Sequence, residues 1–521
     1  MDSILNAWKQ ILGYLHQSWQ QVFVTHLAYT ALGVVLFTPL IGLTGRLLLK
    51  LSGQTALADQ DIAYFLLSPV GMIVLIVFAA LLIAILAFEQ AALMRIAVGA
   101  MNGKQVGTVD ALMFTAARLD KLILFAARLV ARVLLLTLPL LALGGVIALF
   151  LITEFDINYY LTEKPPEFLT AVILIGIVLI TMAVLLIRKL LSWSLALPLV
   201  LFDDVSPADS FAESSRIVLG NRKLVLVLLL SWGAVVLLLG AMVLGSIKLL
   251  GSWVVPTASD SLSLMVAVLG GLSFLLILSN FLLTVFTSGS FAYLIMGLYK
   301  KVGPEFKTEL LDDSQASRSI SFRLTKGRIT LALVLGIAIA GGTGVWLIKG
   351  IQTNDEVLII AHRGAAGKAP ENTLASIHQA IADKTDWVEI DVQETADGEV
   401  VVIHDSDFMK LAGNKTKIWG ATLPQLAEID IGSWFDPSFS EERVPTLKEV
   451  LEVSKGKAKV VIELKYYGHD EKLEQRVAEI VEATDMVNET AIMSLKYDAV
   501  KKMRSIRPDW IIGLLSTTAI G

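Results

Sequence analysis

Seven long apolar stretches constrain this 521-residue chain more than any other feature: Leu27–Leu49, Pro69–Phe88, Val130–Ile152, Leu169–Ile187, Leu224–Ile247, Leu262–Phe286 and Ile329–Ile348. Each approaches the length of about 20 residues that a helix needs to cross a hydrocarbon core. Each is also apolar around its whole circumference, so none can serve as a surface helix of a soluble fold. The reading is a multi-pass α-helical membrane bundle of about seven transmembrane helices over residues 1–350. The shorter run Leu190–Phe202 suits a re-entrant or interfacial segment better than a span. No cleavable signal peptide is evident, because a basic start followed by a short apolar core is missing. No charged residue falls deep within these spans, so no proton or ion path offers itself. His16 and His26 have no partner in view.

Loop charge sets the orientation, since Lys and Arg accumulate on the cytoplasmic side. Residues 89–132 carry Arg95, Lys104, Arg118, Lys121, Arg128 and Arg132. Residues 188–223 carry Arg188, Lys189, Arg216, Arg222 and Lys223, and residues 299–328 include Lys300, Lys301, Lys307, Arg318 and Arg323. The alternate segments 153–168 and 248–261 hold only Lys164 and Lys248. This alternation puts the N-terminus in the cytoplasm and everything after Ile348 outside, in a plasma-membrane protein.

Beyond a joint near Gly350–Glu356 the chain changes class. Residues 1–354 carry a formal charge of +5 and residues 355–521 a formal −10. Neither part invites nucleic acid. The absence of cysteine excludes disulfides, thiolate metal sites and a cysteine nucleophile. Short β-branched runs now appear at Val357–Ile360, Trp387–Val392, Val400–Ile403, Val460–Leu464, Thr490–Met493 and Trp510–Leu515. Helical patterns lie between several of them, at Asn372–Lys384, Asp470–Ala483 and Asp498–Ile506. Such alternation predicts βα units around a parallel sheet. Polar residues close successive runs: His362-Arg363-Gly364, Glu389-Ile390-Asp391, His404-Asp405 and Glu463-Leu464-Lys465. Chemistry at the C-terminal ends of several strands points to an α/β TIM barrel over residues 357–521.

Glu389 and Asp391 stand two apart on a strand and so share a face. Glu463 and Lys465 repeat the spacing on another strand. Three carboxylates at one barrel mouth repel one another unless a cation sits among them. An all-oxygen donor set favours a hard ion, Ca²⁺ or Mg²⁺. With His362, His404 and Arg363 on the same rim, acid–base cleavage of a phosphate ester becomes feasible.

These residues, in order with Pro370-Glu371-Asn372-Thr373, Gly432-Ser433-Trp434-Phe435 and Val444-Pro445-Thr446-Leu447, resemble the glycerophosphodiester phosphodiesterase family. The bundle ahead of them is similar to the arrangement of a bacterial subgroup with an N-terminal membrane domain. The resemblance implies that Glu389, Asp391 and Glu463 hold one divalent cation and that His362 and His404 are the acid–base pair. It further implies that Arg363, Glu371 and Lys465 bind the substrate. It would make the chain a metal-dependent hydrolase releasing glycerol 3-phosphate and an alcohol. The substrate would be a glycerophosphodiester or a lipid-linked relative, met at a membrane surface.

Other readings are a lysophospholipase D-type or glycerol-phosphate-polymer hydrolase. A lipid-handling or transport bundle with a ligand-sensing barrel is a further one. A complete TIM barrel takes about 250 residues, more than residues 357–521 provide, so the barrel is expected to be incomplete at its C-terminus. His378 and His469 are read as surface residues, and Trp434-Phe435 as loop packing.

Overall fold

The computed structural model describes residues 2–52, 57–58, 62, 64–66, 68–304, 326–349, 357–469, 471–517 and 519–520. The expected joint at 350–356 and the basic residues Lys307, Arg318 and Arg323 lie outside the described residues. The chain forms two compact units. One comprises residues 1–44, 73–138 and 182–353; the other comprises 45–72, 139–181 and 354–521. The second unit therefore draws two segments from the apolar region, which the break in composition at 350 does not foretell.

Among the described residues, five helices are long and apolar enough to cross a membrane: Pro69–Met101, Leu119–Leu151, Pro166–Phe202, Arg222–Ala258 and Leu262–Val302. The first expected stretch falls on three consecutive helical pieces, Trp19–Leu32, Gly33–Phe37 and Thr38–Ser52. The last falls on the helix Lys326–Lys349. Outward-facing side chains such as Leu135, Phe150 and Leu237 are exposed, as lipid contact requires. Within the first unit, Leu93, Ile96, Leu122, Leu199, Tyr293 and Leu294 form a fully buried cluster.

The long helices also correct one expectation. Because Pro69–Met101 continues well past Phe88, Glu89 lies inside the helix, where it is buried and paired with the imidazole of His26. Ionisable residues inside an apolar bundle are tolerated when they pair in this way.

Among the described residues of the second unit, six strands form one sheet: β1 (Ile360–Ala361), β2 (Trp387–Glu394), β3 (Val400–Val402), β4 (Lys459–Leu464), β5 (Thr490–Ser494) and β6 (Ile511–Leu514). The order β1-β2-β4-β5-β6 is parallel throughout. These are the βα repeats of a TIM barrel. The run Val400–Ile403 is different, because β3 pairs antiparallel with the end of β2, Val392 opposite Val402. Only residues 395–399 separate the two strands, with Gly398 turning at φ +88°. A parallel crossover needs a dozen residues or more, so this connection can only be a hairpin. The third polar strand end is thus the outer arm of a hairpin, which folds His404 back over the end of β2.

The period-2 pattern of the strands fixes which groups face the site. Val388, Ile390 and Val392 of β2, with Val460, Ile462 and Leu464 of β4, pack against Ile377, Leu451, Val477 and Val481 from the covering helices. Burying each such side chain is worth about 1.5–3 kcal/mol, and a one-residue slip would expose the whole set. The same alternation turns Glu389, Asp391 and Gln393 to the opposite face.

Candidate active site

Register brings the acids together. Asp391 on β2 is the direct neighbour of Glu463 on β4, and Glu389 lies one pleat earlier on the same face. One ligand atom from each of Glu389, Asp391 and Glu463 falls within 4.8 Å of the others, and all three residues are buried. Burial, then the neighbouring charge of Asp391, raises the Glu389 carboxyl to about 7, despite a hydrogen bond from the Arg363 backbone N–H. Lys465 partly offsets the repulsion, its Nζ lying 2.8 Å from Glu463 Oε1 and 3.2 Å from Asp391 Oδ1. Among the described residues, Asp391 Oδ1 nevertheless accepts no hydrogen bond. Three buried carboxylates converging in this way could hold a divalent cation.

The loop after β1 supplies the cationic side. Arg363 has φ +52° and is followed by Gly364 at φ +74°. A Cβ on Gly364 would lie 2.3 Å from Ser376 Oγ, so the turn requires glycine. The Arg363 guanidinium is held between Glu371, at 3.0 Å from Nη1, and Asp391, at 3.5 Å from Nε. Asn372, also left-handed at φ +57°, donates from Nδ2 to Asp391 Oδ2 at 2.9 Å. Two non-glycine residues in this conformation side by side store strain that the surrounding hydrogen bonds must hold.

Both histidines reach the same rim. His362 Nε2 lies 3.9 Å from Glu389 Oε2, and most of its side chain is exposed. Desolvation of the ring edge within the cleft, followed by the positive charges of Arg363 and His404, lowers the His362 pKa, though Asp391 and Glu371 oppose this. His404 Nδ1 lies 2.6 Å from Asp405 Oδ1. That contact keeps the proton on Nδ1 and leaves Nε2 free to exchange one. Gln393 ties down the turn by donating to the carbonyls of Ile403, His404 and Asp405.

The sequence and the structure were compared with known proteins as wholes. Residues 8–340 match the family model for the membrane domain of glycerophosphoryl diester phosphodiesterase. Residues 362–519 match the glycerophosphoryl diester phosphodiesterase family itself. The chain belongs to that family. Among relatives, the glycerophosphodiester phosphodiesterase of Caldanaerobacter subterraneus subsp. tengcongensis is 34% identical over 166 residues, 31% of this chain and 67% of its own length. The Bacillus subtilis protein YhdW is 36% identical over 150 residues, 29% of this chain and 62% of its own. The chain thus spans about two thirds or less of these relatives. A crystal structure of glycerophosphodiester phosphodiesterase from Agrobacterium tumefaciens is 33% identical, covering 30% of this chain and 66% of its own, with a TM-score of 0.28.

The eight candidate site residues, His362, Arg363, Glu371, Glu389, Asp391, His404, Glu463 and Lys465, come together here, but two have partners that the spacing does not reveal. Glu371 is gripped by Arg363 and by Lys410, whose Nζ lies 2.9 Å from both carboxylate oxygens. Lys465 is bound to the acids. Lys410 itself has no motif to announce it. Tyr467 also escapes the sequence; its hydroxyl donates to the His404 carbonyl at 2.9 Å. Burial, then Asp156 and Asp405, raises the Tyr467 pKa, which keeps the hydroxyl a donor. His469 is exposed, as expected, but stacks on Trp419 at 4.3 Å. Trp434 packs edge-on to Phe435 and donates to the Ile431 carbonyl.

Proposed function

We propose that the chain is a membrane-bound phosphodiesterase that uses one divalent cation, Ca²⁺ or Mg²⁺. It hydrolyses glycerophosphodiesters to glycerol 3-phosphate and an alcohol. The observation that carries this reading is the convergence of Glu389, Asp391 and Glu463 with Arg363, His362 and His404 at one rim. Glu389, Asp391 and Glu463 would hold the cation. When bound, it supplies Lewis acidity to the phosphoryl oxygens and offsets the charge that builds there.

The remaining steps belong to side chains. Arg363, steadied by Glu371, binds the phosphate anion, and Lys465 keeps the acids from repelling it. One histidine accepts the proton of the substrate's free glycerol hydroxyl as that oxygen bonds to phosphorus. The other gives a proton to the alcohol oxygen as its bond to phosphorus breaks. Water then opens the resulting cyclic phosphate, with the two histidines exchanging roles.

Loop charges support an extracytoplasmic barrel and a cytoplasmic N-terminus, with residues 1–350 as about seven spans. Membrane lipid, or a lipid-linked diester, is then within reach of the site.

Release of glycerol 3-phosphate from glycerophosphocholine by detergent-purified protein tests the chemistry. It should require added Ca²⁺ or Mg²⁺, stop with EDTA, and be lost in Glu389→Ala and His404→Ala. Turnover that survives both substitutions would exclude this site. For orientation, Lys457→Cys in a chain with no natural cysteine should react with an impermeant maleimide on intact cells. Labelling only after lysis would reverse the topology.

A further inference from the structure

The segment between the long helices Leu119–Leu151 and Pro166–Phe202 folds onto the rim within the second compact unit. Asp156 is 8% exposed and caps the short helix Ile157–Glu163, accepting from the Asn158 backbone N–H at 3.0 Å. Its other oxygen accepts from the Ser406 backbone N–H at 3.2 Å and lies 3.2 Å from the Tyr467 hydroxyl, whose one proton it shares with the His404 carbonyl. Its own backbone N–H donates to Asp407 at 3.1 Å. Beside it, Phe155 sits under the ammonium groups of Lys415 and Lys417, at 5.0 and 5.9 Å. The segment is therefore fixed against the turn that carries His404 and Asp405.

This fixation delivers one side chain to the site. Asn158 Nδ2 donates to Asp405 Oδ1 at 2.8 Å, the same oxygen that His404 Nδ1 contacts, and lies 3.3 Å from that ring nitrogen. The opposite amide orientation would set a carbonyl oxygen against a carboxylate oxygen, so the donor orientation is the one chemistry allows. Asp405 is 1% exposed, and among the described residues its second oxygen has no hydrogen-bond partner. Among the described residues, the carboxylate is thus oriented by two contacts, one to His404 and one to Asn158.

We propose that Asn158 is a positioning residue of the active site: its amide fixes the Asp405 carboxylate, which in turn fixes the ring and tautomer of His404. The connection between two membrane helices thereby completes the catalytic rim. The kinetic part of this inference rests on the phosphodiesterase reading; the structural part does not. Without the amide, Asp405 can rotate about its side chain and His404 loses its fixed bearing on the scissile bond. Misplacement of a reacting group by about 1 Å can cost on the order of 100-fold in rate.

The experiment uses the full chain in detergent, with Asn158→Ala and the isosteric Asn158→Asp, which keeps the volume but replaces the donor by an acceptor. Both should lower kcat by about 10-fold or more with KM little changed, at an unaltered melting temperature. In an Asp405→Ala background, Asn158→Ala should add no further loss, because its effect passes through Asp405. Independently of turnover, ¹⁵N-histidine NMR, with His404 assigned by His404→Gln, should show a fixed Nδ1–H tautomer that both Asn158 variants release. Release of that signal in a protein inactive on glycerophosphocholine would support the inference and count against the substrate instead. A kcat within two-fold of wild type, losses that multiply with Asp405→Ala, or an unchanged His404 signal would each overturn it.

Discussion

In its proposed role as a cation ligand, Glu389 makes cation binding depend on pH. Its carboxyl is raised from an ordinary 4.5 to about 7 by burial and by Asp391. A carboxyl must lose its proton to hold a cation, so protons and the cation compete for this oxygen. At pH 8 roughly nine in ten copies are already ionised, whereas at pH 5.5 about three in a hundred are. The cation affinity should therefore fall about 30-fold between pH 8 and 5.5, equivalent to about 2 kcal/mol.

The sign for stability runs the other way in the cation-free protein. A raised pKa favours the folded state below the unfolded value of 4.5, and that contribution is lost as pH rises through about 7. The melting-temperature gain on adding Ca²⁺ or Mg²⁺ should consequently be larger at pH 8 than at 5.5. Calorimetric titration of the full chain, in buffers of differing ionisation enthalpy, would measure both the affinity and the release of about one proton at the low-pH end. Glu389→Gln should bind more weakly overall but with a much flatter pH dependence. An affinity that changes less than three-fold over this range in wild type, or an equal slope in Glu389→Gln, would refute the reasoning.

Other outcomes follow from single contacts. Lys465→Met leaves Asp391 and Glu463 side by side without their cation, so thermal melts with EDTA should fall by about 3 kcal/mol and divalent ions should restore more than in wild type. Arg476→Ala strips the guanidinium from the buried Glu394, and denaturant unfolding should record a loss of roughly 3 kcal/mol. In Gly432→Ala the new Cβ would meet the Phe439 carbonyl oxygen at 1.9 Å, backbone that cannot yield cheaply. That variant should lose at least about 2 kcal/mol in unfolding experiments, while Gly420→Ala, with nothing within 4 Å, should change little by the same measure.

What the sequence disclosed, and what it hid, divides along a physical line. Glu389 and Asp391 were legible because a strand's two-residue period places them on one face whatever the rest of the fold does. Glu463 followed from the same pattern in a second apolar run, and five of the apolar stretches needed only length and composition to be read as long helices. Val400–Ile403 reads as a strand from its residues, but residue preferences do not give a strand's direction; the short turn at Gly398 makes it antiparallel. Glu89 was hidden by a helix running beyond its apolar stretch, so its burial depended on where the helix stops and on His26 arriving beside it. Asn158 was beyond reach altogether. It stands 247 positions from Asp405, on a segment whose only sequence mark is a scarcity of positive charge. The residues of the proposed chemistry are thus written locally, in short motifs at strand ends. The contact that reaches the Asp405–His404 pair comes from a distant connection between two long apolar helices, which only the folded chain brings to the rim.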